Sequence, residues 1–179
     1  MAEGLERNDG VDRRRKIATY EQVSQAIEAT LEGETDLLAA MATVVCLLHH
    51  AFDVYFWTGF YRRMGPERLL IGPYQGTLGC LEITFDRGVC GACARSEQTV
   101  VVPDVHRFPG HIACDAASKS EIVVPIFDRA GHLIGVFDAD SDRYDAFDEV
   151  DQRYLEQIMA LLSRFDMAPV YHLPPIISH

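Results

Sequence analysis

The sequence predicts an α+β domain, with roughly six strands in an antiparallel sheet, helices packed on one face and a loop-covered ligand pocket on the other. Three observations carry this reading. Apolar stripes of helical period come first, and a run of short β-branched and aromatic segments broken by turns fills the middle. A single helical stripe closes the chain.

In order, Thr19 with Gln22 fits a capping box, and Val23, Ala26, Ile27 and Leu31 then fall on one helical face. After the Gly33-Glu34-Thr35 break, Leu37, Leu38, Met41, Val44, Val45 and Leu48 form a second stripe, so two N-terminal helices are expected. Strands are expected over Val54–Tyr61, Leu69–Tyr74, Leu78–Thr84, Thr99–Val102, Glu121–Phe127 and His132–Asp140. Asp128-Arg129-Ala130-Gly131 reads as a hairpin turn, which makes the last two strands antiparallel. A short helix is expected after Gly88, through Cys90 and Cys93. A final helix runs over Asp148–Phe165, with Asp148, Glu149 and Asp151 at its positive end and Leu155, Ile158 and Leu162 as its buried stripe. Residues 1–18 read as a disordered lead, 19–165 as one domain, and 166–179 as a tail whose Pro169 and Pro174-Pro175 cannot continue a helix.

Composition narrows the function classes. At 179 residues with a net charge of −11, the chain is large enough for a real core and too acidic for a nucleic-acid or anionic-membrane partner. Residues 138–156 hold eight acids against Arg143 and Arg153, a local charge of −6. No apolar run is long enough to span a bilayer, and the charged N-terminus lacks the apolar core of a secretory signal. Five cysteines in that setting suggest free or reactive thiols in a reducing cytoplasm.

Cys80, Cys90 and Cys114 lie mid-chain in glycine- and acid-rich company. A thiol can attack an electrophilic atom, a second thiol can displace the product as a disulfide, and a carboxyl can donate the proton required. That combination fits a thiol-dependent reductase better than a scaffold. Cys46, in an apolar helix, reads as an inert core thiol, and Cys80, on an expected strand, reads as core by default. Cys114 sits in a polar loop where burial is not expected. Cys90-Gly91-Ala92-Cys93 is a C-x-x-C pair near a helix start, where a thiol pKa is lowered. It could be a redox dithiol or half a zinc site with His106, His111 or Cys114, although no second C-x-x-C accompanies it. Asp138 and Asp140, two apart on a strand, project to one face, with Glu121 on the neighbouring strand. Such a cluster could hold an ammonium group and a proton. Trp57 and Tyr61 share a strand face and could enclose a small methyl group.

Seven motifs occur in order: Trp57-Thr58-Gly59-Phe60-Tyr61, Gly72-Pro73-Tyr74-Gln75-Gly76, Gly88-Val89-Cys90-Gly91, Asp104-Val105-His106, Gly110-His111-Ile112-Ala113-Cys114-Asp115-Ala116-Ala117-Ser118, Ser120-Glu121-Ile122-Val123-Val124-Pro125 and Gly135-Val136-Phe137-Asp138-Ala139-Asp140-Ser141. Over roughly Tyr20–Phe165 this series closely resembles the free methionine-(R)-sulfoxide reductases, which are built on a GAF domain. The resemblance implies a GAF-like fold enclosing one free amino acid. It implies Cys114 as nucleophile, Cys80 as its disulfide partner, and Cys90 as a third cysteine able to take part in resolution. It further implies Glu121, Asp138 and Asp140 as groups that bind substrate and protonate the sulfoxide, with Trp57 and Tyr61 as aromatic pocket residues. Thioredoxin is the implied reductant, a homodimer the implied assembly, and neither cofactor nor metal is called for. Cys93 and the Pro-containing tail depart from the family pattern, and Cys93 leaves the order of disulfides open. The alternative is a GAF domain that senses a small molecule or redox state without catalysis.

Overall fold

The computed structural model describes residues 9–110 and 116–165. In chain order these form α1 (Asp9–Thr30), α2 (Leu37–Ala51), β1 (Trp57–Arg63), β2 (Arg68–Gln75), β3 (Glu82–Thr84), α3 (Gly88–Ser96), β4 (Val100–Val102), β5 (Ser120–Phe127), β6 (Leu133–Ser141) and α4 (Glu149–Leu161), with short 3-10 turns at Val105–Arg107 and Leu162–Arg164. The strands make one antiparallel sheet in the order β3-β2-β1-β6-β5-β4.

The β5–β6 hairpin joins β6, which pairs with β1 at the middle of the sheet, to β5, and its turn has the expected chemistry. Asp128 Oδ1 accepts from the backbone N–H of Ala130 at 2.9 Å and of His132 at 2.8 Å. Gly131 then takes the left-handed φ of +83° that a side chain would resist. Period-two alternation along the strands sorts two cores. Phe60, Ile122, Val124, Ile126, Phe137 and Ala139 face α1, α2 and α4. Trp57, Tyr61, Val123 and Val136 face the opposite way, toward Val89, Cys90, Cys93 and Ala94 of α3. The expectation of helices on one face therefore holds for three of them, while α3 roofs the face expected to carry only loops.

Several local expectations are corrected. Helix α1 starts at Asp9, so the Thr19–Gln22 pair is not a helix start; Thr19 is internal, and its hydroxyl donates to the Arg15 carbonyl at 3.0 Å. The reason lies across the chain on α4. Lys16 Nζ donates to Asp148 at 2.9 Å and to Asp151 at 2.6 Å, and the Tyr20 hydroxyl reaches Asp151 at 2.8 Å. These tertiary contacts hold helical a stretch expected to be a disordered lead. Asp148 caps α4 and shares a capping box with Asp151, as the acidic start predicts. The expected strand from Leu78 shrinks to Glu82–Thr84, which leaves Cys80 in a loop. The tail from Asp166 lies outside the described residues, and no helix among those described is long and apolar enough to cross a membrane.

Helix α3 is seated by Gly91. A Cβ there would lie 2.6 Å from the Thr84 carbonyl oxygen and 2.8 Å from that of Phe85, both backbone atoms that cannot swing aside. The Arg95 guanidinium ties the same helix to the Phe85 carbonyl. Gly91→Ala gains helix propensity of ~1 kcal/mol but overpacks this seam, a cost of ~1–3 kcal/mol. The expected outcome is a lower urea midpoint and weaker ligand binding, because Cys90 moves with the helix. An unchanged or raised midpoint would mean that α3 is free to shift.

Candidate active site

Pairing of β1, β6 and β5 sets the site. Gly59 lies opposite Asp138, which lies opposite Val123; two residues along each strand, Trp57, Asp140 and Glu121 form the next row on the same face. Residues two apart share a face. One surface therefore carries Trp57 and Tyr61 from β1, Asp138 and Asp140 from β6, and Glu121 from β5, beneath α3. The sequence-predicted cluster of three acids and two rings is thus assembled by strand register alone.

The acids are placed where ionisation is costly. Glu121 and Asp138 are buried, at 6% and 5% exposure, while Asp140 is half-buried. Burial, then the neighbouring Asp138 and Asp140 carboxylates, push the Glu121 carboxyl well above its ordinary range. Burial and Asp140 push Asp138 up as well. Hydrogen bonds from Cys90 and Glu121 pull Asp138 the other way, so the shared proton is favoured on Glu121. Asp138 Oδ1 is buried with no hydrogen-bond partner.

The rings form a wall beside the acids. Trp57 stacks on Tyr61 at 5.9 Å and on Tyr74 at 5.4 Å, and its indole N–H donates to the Thr77 carbonyl at 3.0 Å. Burial, with Asp138 next, keeps the Tyr61 hydroxyl protonated. Two glycines missed in the sequence let this wall exist. A Cβ on Gly59 would sit 2.5 Å from the Trp57 ring, and one on Gly79 would sit 2.9 Å from it and 3.1 Å from the Tyr61 hydroxyl. A glycine inside a strand is the signal that could have found the first.

The thiols divide sharply. Cys80 is disulfide-bonded, whereas Cys46, Cys90 and Cys93 are free. Its neighbour Gly79 packs on the aromatic wall, which brings the Cys80 loop to the site. Cys90 is buried, and its thiol donates to Asp138 Oδ2 at 3.2 Å. Burial, then Asp138 and Glu121, raise its pKa well above the usual thiol value, the reverse of the lowering expected at a helix start. Cys93 points to the Val123 carbonyl at 3.6 Å, and burial with the same two acids raises it too. The C-x-x-C pair is therefore not an activated dithiol. Cys46 is exposed rather than core, because it falls off the stripe that α2 buries.

Cys114 and His111 lie outside the described residues, but the backbone on either side is anchored. Gly110 accepts from Gly88 N–H at 3.0 Å, at the start of α3. Lys119 N–H donates to the Ser141 carbonyl at 2.8 Å, next to Asp140. The first anchor lies at the start of the helix that carries Cys90, and the second adjoins Asp140 in the chain.

This architecture can be compared with known proteins. Residues 36–164 match the GAF domain family. The chain is 39% identical over 156 residues to the free methionine-R-sulfoxide reductase of Saccharomyces cerevisiae, covering 83% of this chain and 86% of that one. The chain belongs to the free methionine-R-sulfoxide reductase family of GAF domains. Its fold is similar to the crystal structure of the Neisseria meningitidis free methionine-R-sulfoxide reductase in complex with its substrate, at a TM-score of 0.80 and 44% identity, covering 83% of this chain and 89% of that one. The GAF domain-containing protein A of Dictyostelium discoideum is also similar, at 45% identity over 162 residues, or 90% of this chain and 99% of the relative.

A carboxyl raised in the folded chain binds its proton more tightly there than when unfolded. Stability contributed by the neutral form is complete below the unfolded value of ~3.9 and is lost as pH rises through the raised folded value. Asp138→Asn removes that loss. Its melting temperature should match the parent's near pH ~3 and exceed it increasingly toward pH ~8, by ~2–4 °C for each kcal/mol relieved. A difference that stays flat or shrinks with pH, followed by calorimetry, would mean that the fold does not raise the Asp138 carboxyl.

Proposed function

We propose that the chain reduces free L-methionine-(R)-sulfoxide to L-methionine, drawing the electrons from its own thiols. The observation that carries the reading is a buried, proton-holding pair, Glu121 and Asp138, set beside a Trp57–Tyr61 wall and a disulfide-bonded Cys80. The relatives named as reductases, and the substrate-bound structure among them, support the same substrate.

In this mechanism the acidic face receives the substrate ammonium at Asp138 and Asp140, and the aromatic wall takes the thioether methyl. The Cys114 thiolate attacks the sulfoxide sulfur while Glu121 gives its proton to the oxygen. An oxygen that leaves protonated avoids the cost of a bare oxide, which is the work a raised carboxyl can do. The sulfur–oxygen bond breaks as the oxygen passes to Cys114, so methionine departs and Cys114 becomes a sulfenic acid. The Cys80 thiol then condenses with it, releasing water and forming a disulfide. A dithiol protein of the thioredoxin type attacks that disulfide, returning two thiols and leaving oxidised itself.

The disulfide-bonded state of Cys80, against a buried Cys90 committed to Asp138, supports Cys80 over Cys90 and Cys93 as first resolving thiol. Cys90 is better suited to orient Asp138 than to exchange disulfides. Following the family resemblance, the assembly is a homodimer and the compartment the cytoplasm.

Thioredoxin-coupled NADPH oxidation with separate epimers tests the whole reading. Turnover is expected with the free R epimer, and none with the S epimer or a peptide-bound sulfoxide. Loss of all turnover in wild type with verified reduced thiols would favour a ligand-sensing GAF domain instead. Cys114→Ser is expected to lose activity by at least ~1,000-fold, as removal of a nucleophile does. Cys80→Ser is expected to complete about one reduction per chain and then stall, since no resolving thiol regenerates Cys114. Sustained cycling by that variant would assign resolution to another cysteine.

A further inference from the structure

Cys90, Glu121 and Asp138 each offer one donor atom, and among the described residues these three atoms lie within 4.8 Å of one another. All three side chains are buried, at 3%, 6% and 5% exposure. Asp138 Oδ1 has no hydrogen-bond partner, although the group it belongs to is 95% enclosed. A buried carboxylate oxygen without a donor is the kind of group that a cation satisfies.

We propose that these residues form a binding site for one thiophilic divalent cation of the zinc class, which occupies the place of the substrate ammonium and so blocks the site. The second half of that statement rests on the reductase reading; the first does not.

The donor set selects the ion. Magnesium and calcium take oxygen ligands in larger numbers and gain little from a thiolate, whereas zinc accepts mixed sulfur and oxygen donors. Tetrahedral zinc with bonds of ~2.3 Å to sulfur and ~2.0 Å to oxygen places those donors ~3.5 Å apart. The Cys90 Sγ to Asp138 Oδ2 separation of 3.2 Å is already close to that, and the remaining pairs, within 4.8 Å of one another, need to close by at most ~1.5 Å. Binding displaces the protons held by the thiol and carboxyls into solvent, and three protein donors leave one position for water. The C-x-x-C reading of the sequence is thereby replaced: Cys93 points to the Val123 carbonyl, and the partners of Cys90 come from β5 and β6.

The test uses the full chain with Cys80 held in its disulfide, so that the thiols of the proposed reaction cannot bind metal. Cadmium is titrated at neutral pH while the ultraviolet cadmium–thiolate charge-transfer band is followed. One equivalent is expected to bind, to be displaced by zinc, and to be unaffected by magnesium. Cys90→Ala should abolish the band and weaken zinc binding by at least ~10-fold, and Asp138→Asn should weaken it comparably. Cys46→Ala and Cys93→Ala should keep the band. No band in the parent chain, or a band that survives Cys90→Ala, overturns the site. Adding free methionine sulfoxide should raise the apparent Kd for cadmium; an unchanged Kd overturns the competition. Metal binding is read directly, so failure of the reductase assay and failure of this site are separate results.

Discussion

Three carboxyl groups from two neighbouring strands meet on one face of the sheet, two of them out of reach of bulk water, and the surrounding structure is arranged to keep them there. Like charges at such distances cannot all ionise at ordinary cost. The strands supply the compensation through their register. The backbones of Asp138 and Asp140 are fixed by ladders on both sides, to β1 and to β5, so both carboxyl groups leave the sheet on the same face. What remains is to hold a proton, and Glu121, which every neighbour pushes upward, is where it rests.

A second buried acid gives the contrast. Asp151 is fully enclosed, but its two oxygens are satisfied by Lys16, the Tyr20 hydroxyl and the Asp148 N–H. The Tyr20 hydroxyl in turn meets that of Tyr55 at 2.6 Å. That acid is a structural clamp between α1 and α4, paired as buried charges usually must be. Asp138 is as deeply buried and keeps an oxygen without a donor. Within one chain, the clamp and the site differ by whether the burial is compensated inside the fold or left to a ligand.

Much of this was legible in the sequence, and the rest failed for identifiable reasons. The two-residue spacing of Asp138 and Asp140, and of Trp57 and Tyr61, states which side chains share a face, and the Asp128–Gly131 turn brings Glu121 alongside. Those are local rules of strand and turn. The leucines flanking Cys80 imitate a strand, but Leu78 and Leu81 are 81% and 76% exposed, and the segment is a loop. The Thr19 cap signal was outweighed by ion pairs to α4, which no local pattern encodes. The Cys90 thiol was expected to be activated by its helix, but the acids that reverse the shift come from strands distant in sequence. Cys114 could be named only by resemblance, and its segment lies outside the described residues.

Cys46 is the exposed free thiol among the described residues, and it sits on the helix that packs on the far side of the sheet from the acids. It is a spectator to whatever happens beneath α3. Any count of reactive sulfhydryls on the native chain therefore carries a constant background from this position, and oxidative handling can link two chains through it without altering the interior. Redox stoichiometry of this protein is legible only against that background, or in a chain where position 46 carries no sulfur.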